Sequence, residues 1–219
     1  MSDNAGFVPA LGLKNLTWTY DLMVALMTRE GTWRGLLLSP VKPRPADIIV
    51  DIGCGTATLA IMIKRQRPQA RVIGLDPDPD ILRIARRKAM EAGVEIGLIE
   101  GGADRIAIAV PQGEPSKAVS SLVFHHLPLP AKRAALEAIF ATLRPGGQLC
   151  LAGYGPQRTW LMRQLFRLVQ LLDGFETTQP NADGLLPVLI AEVVFDAVLE
   201  THIIPMLTGS ISLYEAHRS

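Results

Sequence analysis

Val50-Asp51-Ile52-Gly53-Cys54-Gly55-Thr56-Ala57 reads as a strand that runs into a glycine turn and then into a helix. Ile48, Ile49 and Val50 form a continuous apolar run, the pattern of a strand buried on both faces. Gly53 and Gly55 let the chain turn tightly and let a ligand approach the backbone where a Cβ would stand. From Thr56 to Gln66 the apolar residues Leu59, Ala60 and Ile63 fall at helical spacing. A second apolar run, residues 71–75, ends at Asp76, 21 residues beyond Gly55. Strand, glycine turn, helix and a second strand ending in an acid are the opening unit of a parallel sheet with crossover helices.

The rest of the chain repeats the alternation. Pro77 reads as the first residue of a helix whose start is favoured by Asp78 and Asp80 and whose apolar side is Ile81, Leu82, Ile84, Ala85 and Ala89. Residues 94–99 give a third strand, residues 100–116 a loop rich in Gly and Pro, and residues 118–122 a fourth strand. A helix from Pro130 to Leu143 ends in Arg144-Pro145-Gly146-Gly147, and a fifth strand follows over residues 148–154. Residues 160–172 form a very apolar helix, and another lies near 183–194. Two final strands, near 197–204 and 210–216, read as a hairpin. Five strand–helix alternations predict an α/β, doubly wound, mostly parallel sheet, here with an antiparallel hairpin at its end. Before the first strand, residues 20–27 carry helical spacing, and Pro40, Pro43 and Pro45 close that segment.

Length and composition bound what such a domain does. The chain has 219 residues, which suits one domain. That domain divides into an N-terminal helical cover (1–46), a ligand-binding core (47–154) and a distal part of helices and hairpin (155–219). Lys and Arg number 22 and Asp and Glu 21, so bulk charge offers no footprint for nucleic acid or an anionic membrane. No apolar run approaches the ~20 residues of a membrane helix. Two cysteines, Cys54 and Cys150, suit a reducing compartment, and with no secretory pattern at residues 1–10 the expected location is the cytoplasm.

Two ligand classes use a glycine turn of this kind. A dinucleotide site wants a third small residue where Thr58 stands, so an oxidoreductase reading is disfavoured. Asp51, directly before the glycines, sits poorly beside a pyrophosphate and suits a ligand with an ammonium group. At this point four stretches in order, VDIGCGTATL, VIGLDPDPDIL, SSLVFHHLP and LRPGGQL, resemble class I S-adenosylmethionine-dependent methyltransferases. Among them the chain is most similar to the group that includes ubiquinone and menaquinone biosynthesis enzymes and many small-molecule methyltransferases. The resemblance runs from about Tyr20 to the C-terminus. It implies a Rossmann-like seven-stranded sheet whose last strand is antiparallel. It implies that Asp51, Gly53, Cys54 and Gly55 hold the methionine part of S-adenosylmethionine, that Asp76 takes the ribose hydroxyls and that Pro77 borders the adenine. Ser121 and Leu122 would add backbone contacts, and Tyr20 would help close over the cofactor.

Three positions depart from the family pattern. Ala57 stands at the third glycine of the loop, a change that a slightly wider turn absorbs. The acid expected on the adenine is replaced by Gly102 in Gly101-Gly102-Ala103, with Asp104 following, and a small loop shift would bring Ala103 and Asp104 into that place. Lys117 opens the fourth strand where an acid is usual. These departures keep open a second reading, a degenerate member that binds the cofactor or a partner without transferring methyl groups.

Methyl transfer needs alignment of the acceptor, and a base only where the acceptor carries a proton to lose. His125 and His126 follow the fourth strand, beside the switch point where doubly wound folds bind ligands. The resemblance implies that His126 is the cofactor-side histidine and that His125 would look towards the acceptor, with at most one of the two acting because tandem residues do not readily face one target. His125, His126, His202 and His217 lack ligand-like spacing with carboxylates or cysteines, so no metal is expected. Cys54 acts through its backbone, with no base placed beside its thiol. The helix at 160–172 is apolar on nearly all faces except for Arg163 and Arg167, which reads as core, as a homodimer face or as a lid over a lipophilic acceptor. A quinone-like or polyketide-like acceptor fits that lid, and nucleic acid does not fit the neutral charge.

Overall fold

The computed structural model describes residues 30–110, 114–206 and 209–219. Tyr20 and the helix expected at 20–27 lie outside the described residues. Seven strands form one sheet: β1 (Ile48–Ile52), β2 (Arg71–Asp76), β3 (Gly97–Glu100), β4 (Lys117–Ser121), β5 (Gln148–Tyr154), β6 (Asp196–Met206) and β7 (Gly209–His217). Their order is β3-β2-β1-β4-β5-β7-β6. The first five are parallel, and β7 pairs antiparallel with both β5 and β6. This is the doubly wound, mostly parallel sheet with an antiparallel hairpin that the alternation predicts. Between β1 and β4 the strand order reverses direction, and the crevice outside their carboxyl ends is the switch point.

Eight helices flank the sheet among the described residues: α1 (Glu30–Val41), α2 (Thr58–Gln66), α3 (Pro79–Glu91), α4 (Ile106–Ala109), α5 (Leu129–Thr142), α6 (Trp160–Asp173), α7 (Phe175–Ala182) and α8 (Leu185–Glu192). Strand alternation divides the core in two. On one face Ile49, Val119 and Cys150 pack with Trp33 and Leu37 of α1, Leu59 and Ile63 of α2, and Phe166 and Val169 of α6. On the other, Val50, Ile52 and Ala118 pack with Ile106 of α4, Leu136 and Ile139 of α5, and Leu186 and Ile190 of α8. Asp51 shares the parity of Ile49, so its side chain points to the face covered by α1 and α2.

Several elements differ from their sequence reading. The third strand is shorter, and α3 begins at Pro79 rather than Pro77, capped by Asp78, which accepts from the backbone N–H of Asp80 and Ile81. The loop at 100–116 contains α4, anchored by buried Ile106. The helix expected near 183–194 is α8, and α7 precedes it as a helix the sequence reading did not contain, the two separated at Gly184 with φ 83°. The helix at 160–172 is not core. It buries Phe166, Val169 and Gln170, whereas Leu161, Leu168, Leu171 and Leu172 are exposed and Trp160 is 74% exposed.

Candidate cofactor and acceptor site

The glycine turn is shaped by its neighbours. Gly53 adopts φ 64°, and a Cβ there would lie 2.3 Å from Cγ2 of Val123 in the turn after β4. Gly55 also has positive φ, but the space where its Cβ would project is open. Ala57 keeps the left-handed conformation too, at φ 61°. The turn therefore does not widen to accommodate alanine, which instead bears a backbone cost of ~1–2 kcal/mol.

Two carboxylates face this turn. Asp76 Oδ2 accepts from the Gly55 N–H at 2.9 Å and its Oδ1 accepts from the Asp78 N–H at 3.0 Å. Each oxygen retains a lone pair for a ribose hydroxyl. Burial raises the Asp76 pKa against the pull of those two bonds. Asp51 is fully buried, and neither of its oxygens completes a hydrogen bond. Burial pushes its carboxyl up to about 7, opposed by the positive Arg34 guanidinium of α1, reinforced by Asp76 and opposed again by the Ala60 backbone N–H that faces it. An orphaned buried carboxylate is costly unless a ligand completes it. Arg34 carries no spacing signal in the sequence, and only the packing of α1 on the sheet brings it to Asp51.

Cys54 contributes its backbone, its N–H donating to the Leu75 carbonyl at 2.8 Å. Its thiol is buried, and a Cβ at Gly74 would meet its Sγ at 2.7 Å. Burial, with Asp51 and Asp76 adding to it, drives the thiol pKa far upward, which removes it as a nucleophile. Pro77 is exposed at the end of β2. In the next loop the Gly101 N–H donates to the Asp76 carbonyl. A Cβ at Gly102 would lie 2.8 Å from Asp104 Oδ1. The Asp104 carboxylate thus fills the space that a side chain at 102 would occupy, and Ala103 stands half-buried between them.

Lys117 belongs to the other end of β4, about 13 Å from Ser121 by strand rise. There its Nζ lies 3.5 Å from Asp47 Oδ2, and Ser116 Oγ donates to Asp47 Oδ1 at 2.8 Å. The departure at this position is balanced locally and does not touch the glycine turn. At the ligand end, Ser120 Oγ donates to the Ile52 carbonyl at 2.8 Å, tying β4 to β1. Ser121 and Leu122 are half-buried there, and Leu122 has φ 56° with its N–H on the Ala152 carbonyl.

Val123, in contact with Gly53, leads into a 3-10 turn over Phe124–His126. The tight turn brings the two histidine rings to a centroid separation of 3.9 Å. It also brings them to Asp173 at the end of α6, so that one donor atom from each of the three lies within 4.8 Å of the others. A 3-10 turn, unlike a strand, does not send consecutive side chains to opposite faces, so both rings border one place. Sequence spacing gave no sign of the carboxylate beside them, because Asp173 arrives from 47 residues along the chain. Burial, with Lys132 adding to it, lowers the His126 pKa to about 4. His125 is held neutral mainly by burial, helped by His126 and Lys132. Burial raises Asp173 to about 6. Lys132 is buried, and its Nζ donates to the carbonyls of Leu127 at 2.5 Å and Thr177 at 2.8 Å, joining this turn to α7.

The pattern of a methyltransferase-domain family matches residues 49–147. A demethylmenaquinone methyltransferase of Thermus thermophilus is 30% identical over 169 residues, covering 76% of this chain and 73% of the relative. The chain belongs to the class I S-adenosylmethionine-dependent methyltransferases. It falls in their ubiquinone/menaquinone-like group. A demethylmenaquinone methyltransferase of Deinococcus radiodurans is 27% identical, over 68% of this chain and 61% of its own length. Among solved structures, a magnesium protoporphyrin IX methyltransferase from Synechocystis with bound S-adenosylhomocysteine has a TM-score of 0.66 at 17% identity, covering 95% of this chain and 90% of that one. This methyltransferase uses S-adenosylmethionine, and the residues present fit it. The orphaned Asp51 carboxylate suits an ammonium, Asp76 suits vicinal hydroxyls and the open space at Gly55 leaves room against the backbone. No helix among the described residues is long and apolar enough to cross a membrane.

Proposed function

We propose that the protein methylates a small, apolar organic acceptor of the quinol type. The observation that carries the cofactor half is the buried Asp51 carboxylate with no hydrogen-bond partner, beside the Arg34 guanidinium. Together they complement an α-amino acid: Asp51 accepts from the ammonium and Arg34 faces the carboxylate. Gly53, Cys54 and Gly55 offer backbone, Asp76 the ribose contact, Pro77 the border of the adenine, Ala103 and Asp104 the adenine edge, and Ser121 and Leu122 the neighbouring strand tip. Tyr20 retains its proposed closing role. The bound cofactor supplies an electrophilic methyl group. The chain's own part is to align an acceptor and exclude water, through His125, His126 and the aromatic rings of Tyr154 and Phe166, whose centroids lie 5.0 Å apart.

The acceptor class is supported by the apolar surround and by the relatives named for demethylmenaquinone. A partner-binding, non-catalytic role has less support, since the Lys117 departure lies away from the site and Asp104 occupies the space left at Gly102. We place the protein in the cytoplasm with a small molecule as its partner, without nucleic acid; the exposed face of α6 is where a homodimer would form. Titration calorimetry with S-adenosylmethionine and with NADH, followed by product analysis against hydroquinones, phenols and amines, tests the reading. Binding of the sulfonium and methylation of a hydroquinone are expected. Binding of NADH alone, or sulfonium binding with no methylated product, refutes it.

A further inference from the structure

We propose that Lys88 is a positioning residue for the cofactor, a clasp that holds Ala57 in the left-handed backbone on which the glycine turn depends. This rests on the placement of the cofactor's methionine part at that turn, given above, and deepens it.

Alternate residues of the turn share one backbone hand. Gly53, Gly55 and Ala57 take φ 64°, 54° and 61°, and only Ala57 does so with a side chain. Its methyl group is fully buried in the core that includes Ile49, Leu59 and Ile63. A glycine there would relieve the backbone and leave that space unfilled. The chain therefore keeps the methyl group and carries the strain where the turn becomes α2. The Ala57 N–H donates to the Cys54 carbonyl at 2.9 Å, and the Ala57 carbonyl accepts from the Ile61 N–H at 2.9 Å. Ala57 is the N-cap of α2, where a Ser, Thr, Asp or Asn side chain usually bonds the first turn, and it offers no such bond.

The group that holds this junction comes from α3. Among its contacts, the half-buried Lys88 Nζ donates to Thr56 Oγ1 at 2.8 Å and to Thr58 Oγ1 at 2.7 Å. These residues stand on either side of Ala57, and their hydroxyl oxygens are 3.4 Å apart. One ammonium thus pins the chain immediately before and after the strained residue. Relaxation of Ala57 to negative φ would rotate Thr56 against Thr58 and break at least one of the two bonds, both of them charge-assisted. Thr58, the residue that spoils the dinucleotide pattern, is half of the clasp. The Cys54 carbonyl that receives the Ala57 N–H lies in the stretch proposed to hold the methionine part. A turn that is relaxed for part of the time binds its ligand more weakly, in proportion to the competent fraction. Lys88 raises that fraction through the turn.

The test is a double-mutant cycle, read by titration calorimetry with S-adenosylmethionine and by amide hydrogen exchange of the ligand-free protein. Lys88→Met keeps the stem and removes the donors. It should weaken S-adenosylmethionine binding about 3–10-fold and speed exchange at the Ala57 amide. In an Ala57→Gly background, where no strain needs holding, Lys88→Met should change affinity by less than about twofold. Thr58→Val should weaken binding as Lys88→Met does, and Thr58→Ser, which keeps the hydroxyl, should recover most of the loss. That pair keeps the test decisive if Lys88→Met folds poorly. Unchanged affinity in Lys88→Met and Thr58→Val overturns the proposal. So does an additive cycle, in which Ala57→Gly gives no rescue. A lower urea midpoint with affinity and exchange unchanged also overturns it, since Lys88 would then only join α3 to α2. Failure of the wild type to bind S-adenosylmethionine would strike the placement of the cofactor instead, and the exchange measurement would still decide whether Lys88 holds Ala57.

Discussion

Gly53 and Gly55 have the same backbone hand and different surroundings, which separates two reasons for glycine. At Gly55 only the left-handed φ matters, so Gly55→Ala should cost about 1–2 kcal/mol in urea denaturation. At Gly53 the added carbon also meets Val123. Gly53→Ala should therefore cost about 2–4 kcal/mol, and it should weaken S-adenosylmethionine binding by moving the turn after β4. Equal costs at the two positions would mean that Val123 yields freely. At this scale the sequence was informative wherever conformation or local pairing decides. The glycines, Asp51 and Asp76 were readable from spacing to neighbouring elements. Arg34 and Asp173 were not, because nothing in their local pattern differs from a solvated charge within a helix or at its end. Their place is set by how α1 and α6 dock.

The ladder of strands and crossover helices followed from period and punctuation, and the structure departs from that reading where an element's ends or exposure depend on distant contacts. Alpha-helix α6 shows why: its residues are apolar around most of the helix, which suggests burial, yet only Phe166, Val169 and Gln170 are covered. The missed helix α7 contains Pro180 and polar residues and gives little periodic signal. It is held by Lys132, whose ammonium spans from the Leu127 carbonyl to that of Thr177. Lys132→Ala would leave both carbonyls unmet and a cavity beneath α7, at about 2–4 kcal/mol, read as a lower urea midpoint. Loss of S-adenosylmethionine affinity with no change in midpoint would contradict this bridging role.

The whole molecule stores protons on buried carboxyls. Asp51 is raised to about 7 and Asp173 to about 6, and Asp76 is raised as well, each mainly by burial. The unfolded chain releases these protons near pH 4, whereas the folded chain retains them longer. Through these carboxyls alone ligand-free stability falls as pH rises from about 4 to 7, whereas His125 and His126, held below the usual histidine value, act in the opposite sense over the lower part of that range. An ammonium arriving beside Asp51 reverses the balance. At pH 7 cofactor binding should expel about half a proton, seen as different calorimetric heats in phosphate and Tris buffers. Equal heats would place the ammonium elsewhere. The Lys117–Asp47–Ser116 cluster bears on the molecule in another way. It lies at the opposite mouth of the sheet from the reacting groups, where the Arg44 N–H also donates to Asp47 and Gln148 also faces Lys117. A charge exchanged at that end is therefore expected to move stability while leaving cofactor affinity unchanged.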